Sequence, residues 1–294
     1  MLPATAGSGA VLKNVPCAGT AHPDVVSSVA MQHVESWRPS KIVKRGTKWV
    51  GSPLASELGI GSRLIGDIQA ATYQRVIEAH ARGRLLDVGC GKVPLFGIYS
   101  PLATEIVCVD WPHSMHGSQH VDQFVDLNRP LPFEGAQFDT ILSTDVLEHI
   151  GRPDVLWREI ARLLRPGGKI ILTVPFLYSI HEEPHDYFRY TAYKLRQFCD
   201  DNNLQVIELE PYGGALEVIL DIVGKHLYRH RMLSRLHLAA SRMLLKIKPL
   251  KAISDDTMKI FPLGYCLVAE KPMSGSKTRK LEGSALARDS AENA

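Results

Sequence analysis

The chain has 294 residues, 45% of them hydrophobic, with a formal net charge of +3. That length suits one sizeable α/β domain with additions, and the small charge excludes a global basic signature for nucleic acid. The five cysteines are odd in number and form no CxxC; the first residues lack a basic, apolar leader, and no apolar run nears the roughly 20 residues of a membrane span, so a cytoplasmic protein without disulfides is expected.

Residues 1 to about 40 are rich in Gly, Ala, Ser and Pro without periodicity, and 273–294 are polar; both are expected to be disordered, flanking one domain over 41–272. Leu64, Ile65, Ile68, Ala71, Val76 and Ile77 make one helical face. Strands follow at 84–88, 105–109, His120 to Val125 and 139–143. A helix is expected from Asp154 to Leu164, with Pro153 in its first turn and Pro166-Gly167-Gly168 as its stop. Lys169 to Val174 is apolar enough for a strand buried on both faces. Thr191 can cap a helix through Asp201. Leu204–Glu210 and Leu263–Glu270 read as the last two strands, with a helical insertion over about 213–260. Alternating strands and helices imply a doubly wound, Rossmann-like, mostly parallel sheet with ligand at the strands' carboxyl ends.

The first strand ends Leu86-Asp87-Val88-Gly89-Cys90-Gly91, and the second ends in Asp110. A dinucleotide fold wants G-x-G-x-x-G, but the third place holds Pro94. Asp87 would also repel a pyrophosphate and attract an ammonium group. A ligand with a cationic amino acid at one end and a ribose at the other fits both acids: Asp87 near the ammonium, Asp110 accepting from ribose hydroxyls. S-adenosylmethionine (SAM) is that ligand, and Gly89 and Gly91 would let the backbone approach it closely.

With these residues the chain resembles the class I SAM-dependent methyltransferases, of the type 11-like family, from about Gly61 to Pro272. The resemblance rests on Leu86–Gly91, on Asp110, on Asp126-Leu127 before Pro130-Leu131-Pro132-Phe133, on Phe138–His149 with Thr144-Asp145, and on Leu164-Arg165-Pro166-Gly167-Gly168. It implies a seven-stranded sheet whose last strand is antiparallel. It also implies that Asp126 and the Leu127 amide read the adenine, and that Thr144 and Asp145 lie beside the methyl group.

Methyl transfer from a sulfonium needs mainly a well-placed acceptor, with a base when the acceptor is a hydroxyl. The loop Pro175–Tyr190 holds two His, three acids, one Arg and three Tyr. His181 and His185 are the candidate general bases. Asp186 or Glu182 could orient them, and Arg189 could hold an anionic part of the acceptor. His149 is read as a structural hydrogen-bonding group. No metal is assigned: His113, His116 and His120 lie in an irregular stretch without a carboxylate pattern, and His181 and His185 offer only HxxxH.

Lys225 to Lys251 contains eight Lys or Arg and no acid. On a helix Leu233, Leu236, Ala240, Met243, Leu244 and Ile247 share a face, with Arg231, Arg235, Arg242 and Lys246 opposite. The plain reading packs the apolar face on the domain and solvates the basic one; the sharper reading adds contact with an acceptor or with membrane headgroups. The expected activity is SAM-dependent methylation of a small-molecule or glycan-type acceptor, an anionic one included, at a hydroxyl oxygen. The alternatives are a SAM-binding regulatory or scaffolding protein without turnover, or a nicotinamide oxidoreductase. Ser143-Thr144-Asp145-Val146 disfavours the amino-methylating DNA enzymes.

Overall fold

A computed structural model describes residues 31–273. The expected disorder over 1–30 and 274–294 lies outside the described residues. Residues 31–40, expected to be disordered, are packed on the domain: Met31 is buried, Gln32 N–H donates to Asp122 Oδ1 (2.8 Å), and the Trp37 indole donates to the Val93 carbonyl (3.0 Å).

The elements run in order as β1 (Ile42–Arg45), β2 (Lys48–Gly51), α1 (Arg63–His80), β3 (Gly83–Val88), α2 (Phe96–Tyr99), β4 (Ala103–Asp110), β5 (Gln123–Phe124), β6 (Phe138–Thr144), α3 (Pro153–Leu163), β7 (Leu164–Pro175), α4 (Ala192–Asp201), β8 (Gln205–Tyr212), α5 (Ala215–His226), α6 (Arg231–Leu244), α7 (Lys248–Thr257) and β9 (Gly264–Glu270). β1 and β2 form a separate hairpin that packs on α1. The main sheet has seven strands in the order β5-β4-β3-β6-β7-β9-β8. Only β9 runs antiparallel to its neighbours, β7 and β8. The expected Rossmann-like, mostly parallel sheet with an antiparallel last strand is therefore observed.

Local chemistry explains most boundaries. The Thr191 hydroxyl caps α4 by accepting from Lys194 N–H. β3, β6 and β7 are apolar along most of their length because helices cover both faces. On one face α3 and α4 bring Trp157 and Phe198 into a stack, with ring centroids 5.4 Å apart. On the other, α1 packs Ile65, Val76 and Ile77 beside Leu85 and Cys108; Ala71, expected on that face, is exposed.

Two expected elements change. The strand expected over 120–125 shortens to Gln123–Phe124: Asp122 N–H still donates to the Cys108 carbonyl (2.8 Å), but the Cys108 N–H donates to the Asp122 carboxylate (2.7 Å) rather than to a backbone carbonyl. α3 ends at Leu163, ahead of Pro166. Leu164 is already extended and pairs with Phe138, while Lys271 N–H donates to the Gly168 carbonyl and Gly167 N–H to the Lys271 carbonyl. The residue before a proline avoids helical backbone, so the turn from helix to strand comes early.

The insertion between β8 and β9 contains three helices rather than one dominant surface helix. α6 faces the domain with Ser234, Leu238 and Ser241, small side chains that let it sit close. The Ser234 hydroxyl donates to the Leu227 carbonyl, and the His237 ring donates to the Leu220 carbonyl (2.8 Å). The face expected to pack is turned outward: Leu233, Leu236, Ala240, Met243 and Ile247 are exposed, and only Leu244 is half-buried. No helix among the described residues is long and apolar enough to cross a membrane.

Candidate active site

The carboxyl ends of β3, β4 and β6 open on a cavity of about 880 Å³. That volume is in the range of small-molecule sites. β3 places Asp87 in its wall, nearly fully buried, with the Tyr99 hydroxyl donating to it at 2.9 Å. Burial, and to a lesser degree the nearby Asp110, push Asp87 up to about 7 against the opposing effect of the Tyr99 bond.

The glycine turn after β3 is fastened to β4. Gly89 and Cys90 N–H both donate to the Val109 carbonyl (2.8 and 3.1 Å), and Gly91 N–H donates to Asp110 Oδ2 (2.8 Å). Asp110 Oδ1 accepts from Trp111 N–H at 2.6 Å. Gly89 sits at φ +70°, and a Cβ there would lie 2.6 Å from Val146. Only glycine fits that position. The backbone thus comes to the cavity wall with no side chain in the way.

Asp126 and Leu127 reach the same cavity from the far side of β4. Asp126 Oδ1 is held by Asn128, through its backbone N–H (2.9 Å) and its amide (3.0 Å), and these bonds, with Arg129, hold the carboxyl below its usual range. At the end of β6, Thr144 and Asp145 line the cavity beside the glycine turn. Asp145 adopts φ +53° and is buttressed on all sides. Its Oδ2 accepts from the Tyr73 hydroxyl (2.6 Å) and Gln69 (2.8 Å), and its Oδ1 from Thr173 (3.1 Å). Strained backbone held by surrounding bonds is characteristic of sites.

The loop after β7 closes the cavity. His181 faces inward, while His185 is exposed at the mouth, its Nδ1 at 2.9 Å from the Tyr187 hydroxyl and its ring edge-on to Trp111. Asp186 accepts from the His181 backbone N–H (2.9 Å), which orients that residue. Arg189 is committed to Asp186 (2.8 Å) and to the Ser179 carbonyl (3.1 Å), so it braces the loop rather than presenting a free cation to an acceptor. Asp186 is held down to about 2 chiefly by that guanidinium.

Every residue picked from the sequence as cofactor-binding or catalytic lines this one cavity. Four contributors are missing from that reading: Gln69 and Tyr73 from α1, His116 from the second crossover, and Glu148. His116 Nε2 lies 3.1 Å from Glu182 Oε1, tying the crossover to the loop. Glu148 is fully buried, and burial together with Asp145 raises it well above the usual carboxylate range. The sequence signal for it is the Glu148-His149 pair directly after the fourth-strand motif, but its meaning depends on His181, 33 positions away.

Residues 86–172 match the family model described as a methyltransferase domain. A ubiquinone biosynthesis O-methyltransferase from Xanthomonas oryzae pv. oryzae is 33% identical over 103 residues, 32% of this chain and 43% of that protein. The chain thus matches less than half the length of that curated relative. Two solved structures align at low identity. One is phosphoethanolamine N-methyltransferase 2 of Haemonchus contortus in complex with S-adenosyl-L-methionine, at 17% identity over 73% of this chain and 56% of that one, TM-score 0.47. The other is an S-adenosylmethionine dependent methyltransferase of Mesorhizobium loti, at 14% identity over 70% and 99%, TM-score 0.45.

Proposed function

We propose that this chain, whose residues 86–172 match a methyltransferase domain model, is a class I SAM-dependent methyltransferase that transfers the methyl group to a hydroxyl of a small-molecule or glycan-type acceptor. The observation that carries this is the shared cavity. A buried acid (Asp87), a glycine turn and a strand-end acid (Asp110) stand together on one side, and the histidine-bearing loop on the other. Asp87 takes the ligand's ammonium, and Asp110 keeps free lone pairs for ribose hydroxyls. Asp126 and the Leu127 amide meet the adenine. Thr144 and Asp145 flank the methyl group.

The acceptor enters between the loop and the glycine turn. As its oxygen bonds to the methyl carbon, the carbon–sulfur bond breaks and the electron pair stays on sulfur. The hydroxyl proton leaves toward the histidine wall, to His181 or His185. The curated relative's name, an O-methyltransferase, agrees with oxygen as the methylated atom.

The insertion adds a second part to the proposal: peripheral contact with an anionic lipid surface. Leu233, Leu236 and Met243 are exposed together on α6, and Ile219 and Ile222 are exposed on α5. Arg229, Arg231, Arg235, Lys246 and Lys248 make no salt bridge among the described residues, whereas Arg242 pairs with Asp67 and Lys225 with Asp221. Arg63, Arg231 and Arg235 line a side recess suited to a phosphate headgroup. An outward apolar stripe with a cationic edge is the pattern of an interfacial helix.

A transfer assay with labelled SAM against cell extract, with mass spectrometry of the product, tests the activity. We expect a methylated small molecule or glycan. His181→Ala and His185→Ala are expected to separate the bases, the true base losing about 100-fold in kcat with SAM affinity retained. SAM binding without any transferred label would favour a regulatory protein instead.

A further inference from the structure

The floor of the cavity carries an arrangement that methyl transfer by proximity does not require. Glu148 is fully buried, and neither of its carboxylate oxygens has a hydrogen-bond partner among the described residues. Such a group is costly unless something pairs with it. Two imidazoles face it. His149 Nε2 and His181 Nε2 each lie 3.8 Å from Glu148 Oε1, too far for a hydrogen bond, and their rings meet edge-to-face at 4.8 Å.

The other nitrogen of each ring is engaged. His149 Nδ1 donates to the His185 carbonyl at 2.8 Å, and His181 Nδ1 donates to the Ser179 carbonyl at 3.2 Å with Asp186 Oδ2 at 3.3 Å. Carbonyls only accept, so the proton of each neutral ring is on Nδ1. Each Nε2 therefore turns a lone pair toward the unpartnered carboxylate. The two imidazole nitrogens and a carboxylate oxygen converge, and these ligand atoms all lie within 4.8 Å of one another. Backbone carbonyls or carboxylates that fix the ring tautomer from behind are a regular feature of metal-ligating histidines.

We propose that Glu148, His149 and His181 bind a divalent first-row cation of the zinc class at the floor of the methyl-acceptor cavity. Two imidazoles and a carboxylate suit Zn²⁺, with bonds of about 2.0–2.2 Å. Tetrahedral ligands at that bond length stand about 3.4 Å apart, so the two 3.8 Å spacings need to close by a few tenths of an ångström and the widest pair, within 4.8 Å, by at most about 1.4 Å. Glu182 Oε2, 4.0 Å from His149 Nε2, is placed to approach from the loop. A position open to the cavity remains for the acceptor.

This deepens, and rests on, the methyltransferase reading. The cation binds the acceptor hydroxyl and makes it more acidic. His181 is then a ligand, and the proton leaves to His185 or water. The oxygen–carbon bond forms as the carbon–sulfur bond breaks, with no change in the cation.

The test uses the full chain, freed of metal by chelation and titrated with Zn²⁺ by calorimetry and with Co²⁺ by visible absorption. One ion per chain is expected, with a Co²⁺ spectrum of four- or five-coordinate nitrogen and oxygen ligation. Glu148→Gln and His149→Ala are expected to weaken binding about 10- to 100-fold or more. His113→Ala, outside the cluster, should leave it unchanged. SAM affinity, measured alongside, reports whether each variant is folded. His181→Ala, at a half-exposed position, provides a second variant should Glu148→Gln fail to fold. Absence of stoichiometric binding in the parent chain, or binding indifferent to Glu148 and His149, overturns the proposal. SAM binding without metal binding overturns the metal site alone, whereas metal binding without SAM binding overturns the methyltransferase reading alone.

Discussion

Asp87 carries a charge that its surroundings resist, since burial holds its carboxyl up to about 7. A cationic ligand group beside it reverses that preference and expels the proton. SAM affinity is therefore expected to rise with pH by up to tenfold per unit until about 7. It should fall again above about 8, where the ligand's own amino group loses its charge. Asp87→Asn should bind SAM about 10- to 100-fold more weakly and lose the acid limb of that profile. The same shift acts on the unliganded fold. The folded carboxyl holds a proton that the unfolded chain releases near pH 4, so stability falls as pH rises from there to about 7. Calorimetry in two buffers of different ionisation enthalpy checks the proton release. The place of Asp87 in the cavity wall is legible from sequence because the signal is local: an acid, then a turn that tolerates no Cβ at Gly89. Glu148 is not legible in this way, because His181 reaches it only through the fold of the loop.

At the scale of elements, α6 shows what periodicity leaves open. The spacing of Leu233, Leu236, Ala240 and Met243 identifies an amphipathic helix, but not which face the domain takes. Ser234, Leu238 and Ser241 win that face because two small side chains bring the helix close, where Ser234 and His237 bond to backbone carbonyls. The apolar stripe is left outward. Leu236→Asp combined with Met243→Asp should therefore abolish flotation with vesicles containing anionic lipid while leaving thermal stability and SAM affinity unchanged. A packed apolar face would instead lose stability by several kcal/mol. The β1–β2 hairpin was equally hidden: its burial alternates only weakly, and what fixes it is α1, whose Gln74 and Asp67 accept from Trp49 and Gly51 N–H.

The whole molecule joins two halves of different legibility. The strands and the cavity wall of Asp87, Gly89, Gly91 and Asp110 are legible in strand-end acids, glycines and buried apolar runs, all of them contiguous motifs, and the seven-stranded sheet in the family resemblance. The opposite wall is assembled from α1, the second crossover and the loop after β7, through contacts such as Tyr73 to Asp145 and His116 to Glu182. Such long-range pairings leave no spacing to read. The most direct measurement is calorimetry of the full chain at pH 7.5 with SAM, S-adenosylhomocysteine and NAD. One site per chain for SAM and S-adenosylhomocysteine, with no heat from NAD, is the predicted result. Binding of NAD without SAM would contradict it.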